Sequence, residues 1–93
     1  MADDMSASIA AAAAALKAAG AREVYLFGSA STGKLRPDSD VDMAVSGLPP
    51  EVFFDAMGKA SRALSRPLDL IDLDEDNPFT RYLKEEGELR HVG

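Results

Sequence analysis

With 93 residues and no cysteine, the chain is long enough for one small domain, 1–93, and excludes disulfide bridges and thiolate metal sites. Its net charge of −6 argues against nucleic acid or an anionic membrane as a direct ligand, because both bind through basic patches, but it allows a small nucleotide held through a metal ion. No segment reaches the roughly 18 apolar residues of a membrane-spanning helix, and the N-terminus is acidic rather than basic, so we expect a cytoplasmic protein without a secretory signal.

The hydrophobic pattern predicts helices and strands in alternation. Residues 6–19 favour a helix, because alanine is the best helix former and Ile9 and Leu16 recur at helical spacing. In chain order we predict a helix at 6–19, a strand at 23–27, a turn with a short helix at 28–34, a strand at 40–45, a helix at 50–64, a strand at 68–73 and a helix at 79–86. The tail at 88–92 is compatible with a short strand or a frayed end. The order α-β-α-β-α-β-α predicts an α/β fold in which helices pack on a small mixed sheet.

Two adjacent phenylalanines, Phe53 and Phe54, fall within the predicted helix at 50–64. Consecutive side chains of a helix point in different directions, so both rings cannot face a single core. We expect one of them to be exposed and to mark a surface for a partner protein.

The most informative motif is a pair of aspartates, Asp40 and Asp42, at the start of the second predicted strand. Residues i and i+2 of a strand point to the same face, so the two carboxylates stand side by side while Val41 and Met43 turn toward the core. Two unpaired carboxylates repel each other, and a divalent cation would neutralise them. The motif therefore predicts a metal site for phosphate chemistry.

A glycine–serine pair, Gly28 and Ser29, ends the first predicted strand, and ten residues separate it from Asp40. Glycine lets the backbone approach a ligand closely. The amides that follow lie at the start of the predicted short helix, where N–H groups and the helix dipole favour a phosphate. Mg²⁺ held by Asp40 and Asp42 would bridge the phosphates, and a pair of ions would stabilise both the attacking and the leaving oxygen.

Such a site needs a third carboxylate, which completes the ligands of the second ion and helps to deprotonate an attacking hydroxyl. The third predicted strand offers Asp69 and Asp72. The two are three positions apart and therefore point to opposite faces, so only one can meet the aspartate pair. Periodicity alone does not choose between them.

The stretch Leu26-Phe27-Gly28-Ser29, followed after ten residues by Asp40-Val41-Asp42-Met43, resembles the signature of the DNA polymerase β-like nucleotidyltransferase superfamily. The short chain and residues 35–40 resemble its minimal nucleotidyltransferase (MNT) branch more closely. Residues 66–71 are similar to the family's third-carboxylate strand, and residues 82–87 to its closing helix. The resemblance implies the polymerase β-like nucleotidyltransferase fold and assigns the third carboxylate to Asp69.

The resemblance also implies that Asp40, Asp42 and Asp69 are the catalytic and metal-binding residues and hold two Mg²⁺ ions. The candidate nucleotide-binding residues are Gly28, Ser29, Lys34, Arg36 and Ser39. In the family the loop after the glycine–serine pair is commonly rich in arginine, whereas residues 30–33 here read Ala-Ser-Thr-Gly. We therefore expect triphosphate binding either to be weaker than in relatives or to depend on backbone amides and metal.

Domains of this kind transfer a nucleoside monophosphate from a nucleoside triphosphate to a hydroxyl. They are often encoded beside a protein of the HEPN class, and the MNT member acts as the antitoxin of the pair, in some cases by adenylylating a tyrosine of the toxin. The resemblance thus predicts a Mg²⁺-dependent nucleotidyltransferase that moves AMP from ATP to a hydroxyl of a HEPN-family partner. The alternatives are a non-catalytic module that neutralises a toxin by occlusion, and a small-molecule nucleotidyltransferase.

Overall fold

The computed structural model describes residues 4–28, 40–86 and 89–92. Its sheet is built from four strands, namely β1 (Glu23–Leu26), β2 (Val41–Ser46), β3 (Leu68–Asp72) and β4 (Arg90–His91). They lie in the order β3-β2-β1-β4, with β2 and β3 parallel and the other two pairs antiparallel. The sheet is therefore mixed, as predicted, and the tail forms a short strand rather than a frayed end.

In the described part of the chain three helices pack on the sheet, namely α1 (Asp4–Ala19), α2 (Phe53–Leu64) and α3 (Pro78–Glu86). The predicted helix at 50–64 was wrong in its first turn, because residues Pro50–Val52 form a separate 3₁₀ turn before α2 begins. Such tighter turns are frequent at the N-termini of α-helices. The predicted short helix at 28–34 lies outside the described residues apart from Gly28. None of the described helices is long and apolar enough to cross a membrane.

The larger core lies between one face of the sheet and helices α1 and α2. Alternate residues of each strand point to this face, as the period of two in a strand requires. Its fully buried members include Leu16, Val24, Val41, Met43, Val45, Ala56 and Ala60. Because Val41, Met43 and Val45 all belong to β2, the residues between them must face the other side of the sheet.

Helix α3 covers that other side. A smaller cluster here joins Phe27 and Ala44 to Leu73 and to Leu83 of α3. The helix begins with a side-chain cap, since the Thr80 N–H donates to Oδ1 of Asn77 at 2.9 Å. Helix α3 covers only part of this face, and the functional residues predicted on β2 and β3 lie on the same side of the sheet.

Candidate active site

The sheet places two of the predicted carboxylates next to each other. Val41 and Met43 are fully buried in the larger core, so Asp42 between them points to the face that carries α3. The parallel pairing of β2 with β3 sets Asp42 directly beside Asp69. Asp40 is exposed and lies immediately before β2. It is two residues from Asp42, the spacing that places side chains of an extended chain on the same face. Three carboxylates therefore gather at the beginnings of two adjacent parallel strands.

Asp72 lies on the opposite face of β3. It pairs in register with Val45, which is buried in the larger core. Its Oδ1 accepts a hydrogen bond from the N–H of Asp74 at 2.9 Å and so closes the turn after the strand. The register therefore resolves the geometric alternative that periodicity left open, because Asp69 and not Asp72 stands beside Asp42.

The electrostatics of the three carboxylates reflect this proximity. Burial raises the pKa of Asp42, and the negative charges of Asp69 and Asp40 raise it further. The repulsion between neighbouring carboxylates is reduced either when one of them takes up a proton or when a cation binds between them. At neutral pH the repulsion among the three carboxylates thus favours the binding of a positively charged ligand.

The oxygen donors of these side chains fit Mg²⁺, a hard cation that prefers carboxylates and usually keeps several waters. Within the residues that the structure describes, however, no three acidic or histidine side chains have the spacing of a preformed metal centre. An ion would therefore have to draw Asp40, Asp42 and Asp69 closer together than they stand.

Gly28 lies directly against Asp42. Its φ of +66° is in the left-handed region, and a Cβ built on it would come within 2.7 Å of Oδ2 of Asp42. The backbone N–H of the preceding residue, Phe27, donates to the carbonyl oxygen of Asp42 at 3.1 Å. The sequence predicted that Gly28 leaves room for a ligand, and the structure shows that it leaves room for the carboxylate of Asp42.

The remaining predicted nucleotide-binding residues fall in one segment of the chain. Ser29, Lys34, Arg36 and Ser39 lie outside the described residues, between Gly28 and Asp40. Their roles stay predictions. The described residues on either side of this segment are Gly28, which lies against Asp42, and Asp40, which lies two residues before it.

One aromatic contact close to Gly28 was not predicted from the sequence. Phe79, in the first turn of α3, packs edge-on against Phe27, with ring centroids 6.0 Å apart, yet it is 47% exposed. Phe27 directly precedes Gly28, so Phe79 contacts the residue that leads into the candidate site. The available signal was an aromatic residue in the first turn of a helix that begins with a proline, Pro78.

The raised pKa of Asp42 leads to a prediction about stability. In the absence of metal, a carboxyl whose pKa is raised by folding stabilises the protein below its ordinary pKa of 3.8, and this contribution is lost as pH rises through the raised value. We therefore expect Asp42→Asn to raise the midpoint of thermal unfolding at neutral pH and to change it little below pH 3.8. Melting curves followed by circular dichroism in the presence of a chelator would measure this. A variant that melts below the wild type at neutral pH would contradict the electrostatic assignment.

A family model described as polymerase beta, nucleotidyltransferase, matches residues 14–89 of the chain. No curated protein sequence matches it. A toxin–antitoxin crystal structure with AMP-PNP superposes with a TM-score of 0.70 at 24% identity, covering 87% of this chain and 68% of that one. The MntA–HepT toxin–antitoxin structure superposes with a TM-score of 0.61 at 21% identity, covering 87% of this chain and 65% of that one.

At these identities the structural likeness speaks for the fold alone, and it agrees with the mixed sheet and the packing of the helices. The family match is broader in meaning, because it spans β1, β2 and β3 and with them Gly28 and all three carboxylates. From its sequence and its fold together, the chain belongs to the polymerase β nucleotidyltransferase family.

Proposed function

We propose that this nucleotidyltransferase moves AMP from ATP to a hydroxyl group of a partner protein, and that it serves as the antitoxin of a HEPN/MNT-type pair. The observation that carries the proposal is the pairing of Asp42 with Asp69 on adjacent strands, with Asp40 beside them and Gly28 against Asp42. A cluster of like charges at the end of the predicted phosphate loop is suited to metal-assisted transfer of a nucleotide.

In this proposal Asp40 and Asp42 hold Mg²⁺, and Asp69 completes the site. Bound Mg²⁺ supplies charge neutralisation at the phosphates and at the attacking and leaving oxygens. Asp69 stands nearest to Asp42 and is exposed, so it is the carboxylate best placed to accept the proton of an incoming hydroxyl. Gly28 and the residues after it would orient the triphosphate through backbone N–H groups.

The structural neighbours support the proposal that the acceptor is a partner protein. They are toxin–antitoxin complexes, and one of them was crystallised with AMP-PNP, an analogue of ATP. The described residues around the carboxylates build a shallow, exposed face rather than an enclosed pocket for a small acceptor, because Asp40 and Asp69 are both exposed. A macromolecule that presents its own hydroxyl to this face fits better than a small alcohol.

The proposal is tested by incubating the protein with ATP, Mg²⁺ and the product of its neighbouring gene. The mass of that product is then measured by intact mass spectrometry. We expect addition of a single AMP, located by peptide mapping on a hydroxyl side chain, and no addition when a chelator replaces Mg²⁺. An unmodified partner, together with full neutralisation of its toxicity, would favour the alternative that the protein acts by occlusion. Modification of a small alcohol in preference to the partner would favour a small-molecule transferase.

A further inference from the structure

A groove runs along the free edge of the sheet, on the side of β3 that faces away from β2. It has a volume of about 570 Å³. We call it the β3 groove and define it by the residues Phe53, Leu70, Asp72, Glu75, Pro78 and Phe79. It wraps around the edge of the sheet, because Phe53 begins α2 on one face while Pro78 and Phe79 begin α3 on the other.

The floor of the β3 groove is strand backbone that no other strand in the described part of the chain uses. The Val41 N–H donates to the Pro67 carbonyl, and the Leu73 N–H donates to the Val45 carbonyl, both across the β2–β3 pair. Successive residues of a strand direct their backbone groups to opposite sides, so the odd-numbered residues of β3 face β2. The N–H and C=O groups of Leu70 therefore point away from β2, at the edge of the sheet, toward the groove.

Aromatic rings flank this backbone on both faces of the sheet. Phe53 is half-buried and Phe79 is 47% exposed. Phe54, whose side chain is 76% exposed, extends the apolar surface beyond Phe53, and its ring packs edge-on against Phe53 with centroids 5.5 Å apart. The prediction that one of the two adjacent phenylalanines would be exposed is confirmed. An extended chain lying along β3 would find apolar side chains above and below it.

The charge of the β3 groove is negative. Asp72 and Glu75 line it, and among the described residues neither forms an ion pair with lysine or arginine. Two acids nearby do have such partners, since Asp76 pairs with Arg81 at 2.7 Å and Asp55 with Lys59 at 3.1 Å. No described lysine or arginine lines the β3 groove, so the charges of Asp72 and Glu75 make it negative and favour a basic occupant.

We propose that the β3 groove docks an extended, basic segment of a partner protein, which adds a strand to the free edge of β3. Backbone hydrogen bonds to the edge would supply affinity, and apolar side chains between Phe53 and Phe79 would supply specificity. A second copy of this chain is a poor occupant, because each copy has a net charge of −6 and presents the same acids. Docking of a peptide at the β3 groove does not require nucleotide transfer, so its failure would leave the transfer proposal standing.

The test uses a fluorescent, acetylated peptide in which lysine alternates with valine around a central phenylalanine. Binding to the full chain is measured by anisotropy, with the Asp42→Asn variant as well as the wild type, so that the result does not depend on catalysis. Two groove variants are compared, Glu75→Lys and Phe79→Ala. The matched controls are Glu86→Lys and Tyr82→Ala, since Tyr82 is 50% exposed and neither residue lines the groove.

We expect the peptide to bind both the wild type and Asp42→Asn, and each groove variant to weaken binding about tenfold while the controls leave it unchanged. Methylating alternate backbone nitrogens of the peptide should abolish binding if a strand is added to β3. Equal binding of the methylated peptide, of a glutamate-for-lysine peptide, or by Phe79→Ala would overturn the proposal. So would no peptide binding, or a stable dimer of the free protein by analytical ultracentrifugation that Glu75→Lys disrupts.

Discussion

Replacing Asp42 with asparagine is expected to lower the rate of AMP transfer by about 10²–10³-fold, the loss typical of removing one group that stabilises the charge of the transition state. Asp42 is the most central of the three carboxylates, because it pairs with Asp69 across the strands and lies against Gly28. Asparagine keeps the shape of the side chain but removes the charge that would hold a cation. The rate is measured as transfer of labelled AMP to the partner protein in the presence of Mg²⁺.

The matched control for this prediction is Asp72→Asn. Asp72 belongs to the same strand as Asp69 but lies on the opposite face, in register with the buried Val45. With the partner protein at saturating concentration, so that weaker docking at the β3 groove does not limit the rate, its substitution should leave transfer within about threefold of the wild type, since it faces away from the carboxylate group. If Asp72→Asn were as damaging as Asp69→Asn, the assignment of the third carboxylate would be wrong.

Replacing Gly28 with alanine is expected to damage both stability and transfer. A non-glycine residue with a φ near +66° costs about 1–2 kcal/mol. The new Cβ would also lie 2.7 Å from Oδ2 of Asp42, so that the carboxylate must move. A displacement of about 1 Å at a catalytic group can cost about 10²-fold in rate. Chemical denaturation and the transfer assay would measure the two losses separately.

Gly58 offers a control of the same chemistry at a different place. It lies in α2, and a Cβ built there meets nothing within 4 Å. Gly58→Ala should therefore raise the free energy of unfolding by about 0.5–1 kcal/mol, because alanine favours a helix over glycine, and should leave transfer unchanged. Full activity in Gly28→Ala would show that the close approach of Gly28 to Asp42 is not needed for the reaction.

The elements of this fold could be predicted because strand and helix periods are local properties of the sequence. The alternation of Val41, Asp42 and Met43 correctly assigns the core side and the polar side of β2. The tail was ambiguous because Arg90 and His91 have no hydrophobic period. They form a strand only because β1 offers an edge, where Tyr25 pairs with His91.

Register could not be predicted, because it depends on how two distant strands align. The sequence shows that Asp69 and Asp72 face opposite ways, but only the pairing of β2 with β3 shows which of them meets Asp42. The same holds for the contact of Phe79 with Phe27, which joins residues far apart in the chain. The pattern of residue types therefore predicted the ingredients of the candidate site, while their juxtaposition required the fold.

The β3 groove illustrates a second limit of sequence reasoning. The adjacent phenylalanines predicted an exposed ring, but not that it would lie beside a strand edge that no other described strand pairs with. Edge strands are usually protected, since their free backbone groups invite pairing with other chains. Here β3 is short and carries Asp69 and Asp72, so charge limits unspecific pairing. Asp72, together with Glu75 in the groove, favours a basic partner at this edge.

The central claim is that Asp40, Asp42 and Asp69 hold the metal that serves nucleotide transfer. It is tested most directly by a crystal structure of the protein with Mn²⁺ in place of Mg²⁺ and a non-hydrolysable ATP analogue, using the anomalous signal of manganese. The account predicts anomalous peaks between the carboxylates of β2 and β3, with the triphosphate extending toward Gly28. Peaks confined to other acids, such as Asp72 and Glu75, or a nucleotide bound away from Gly28, would contradict it.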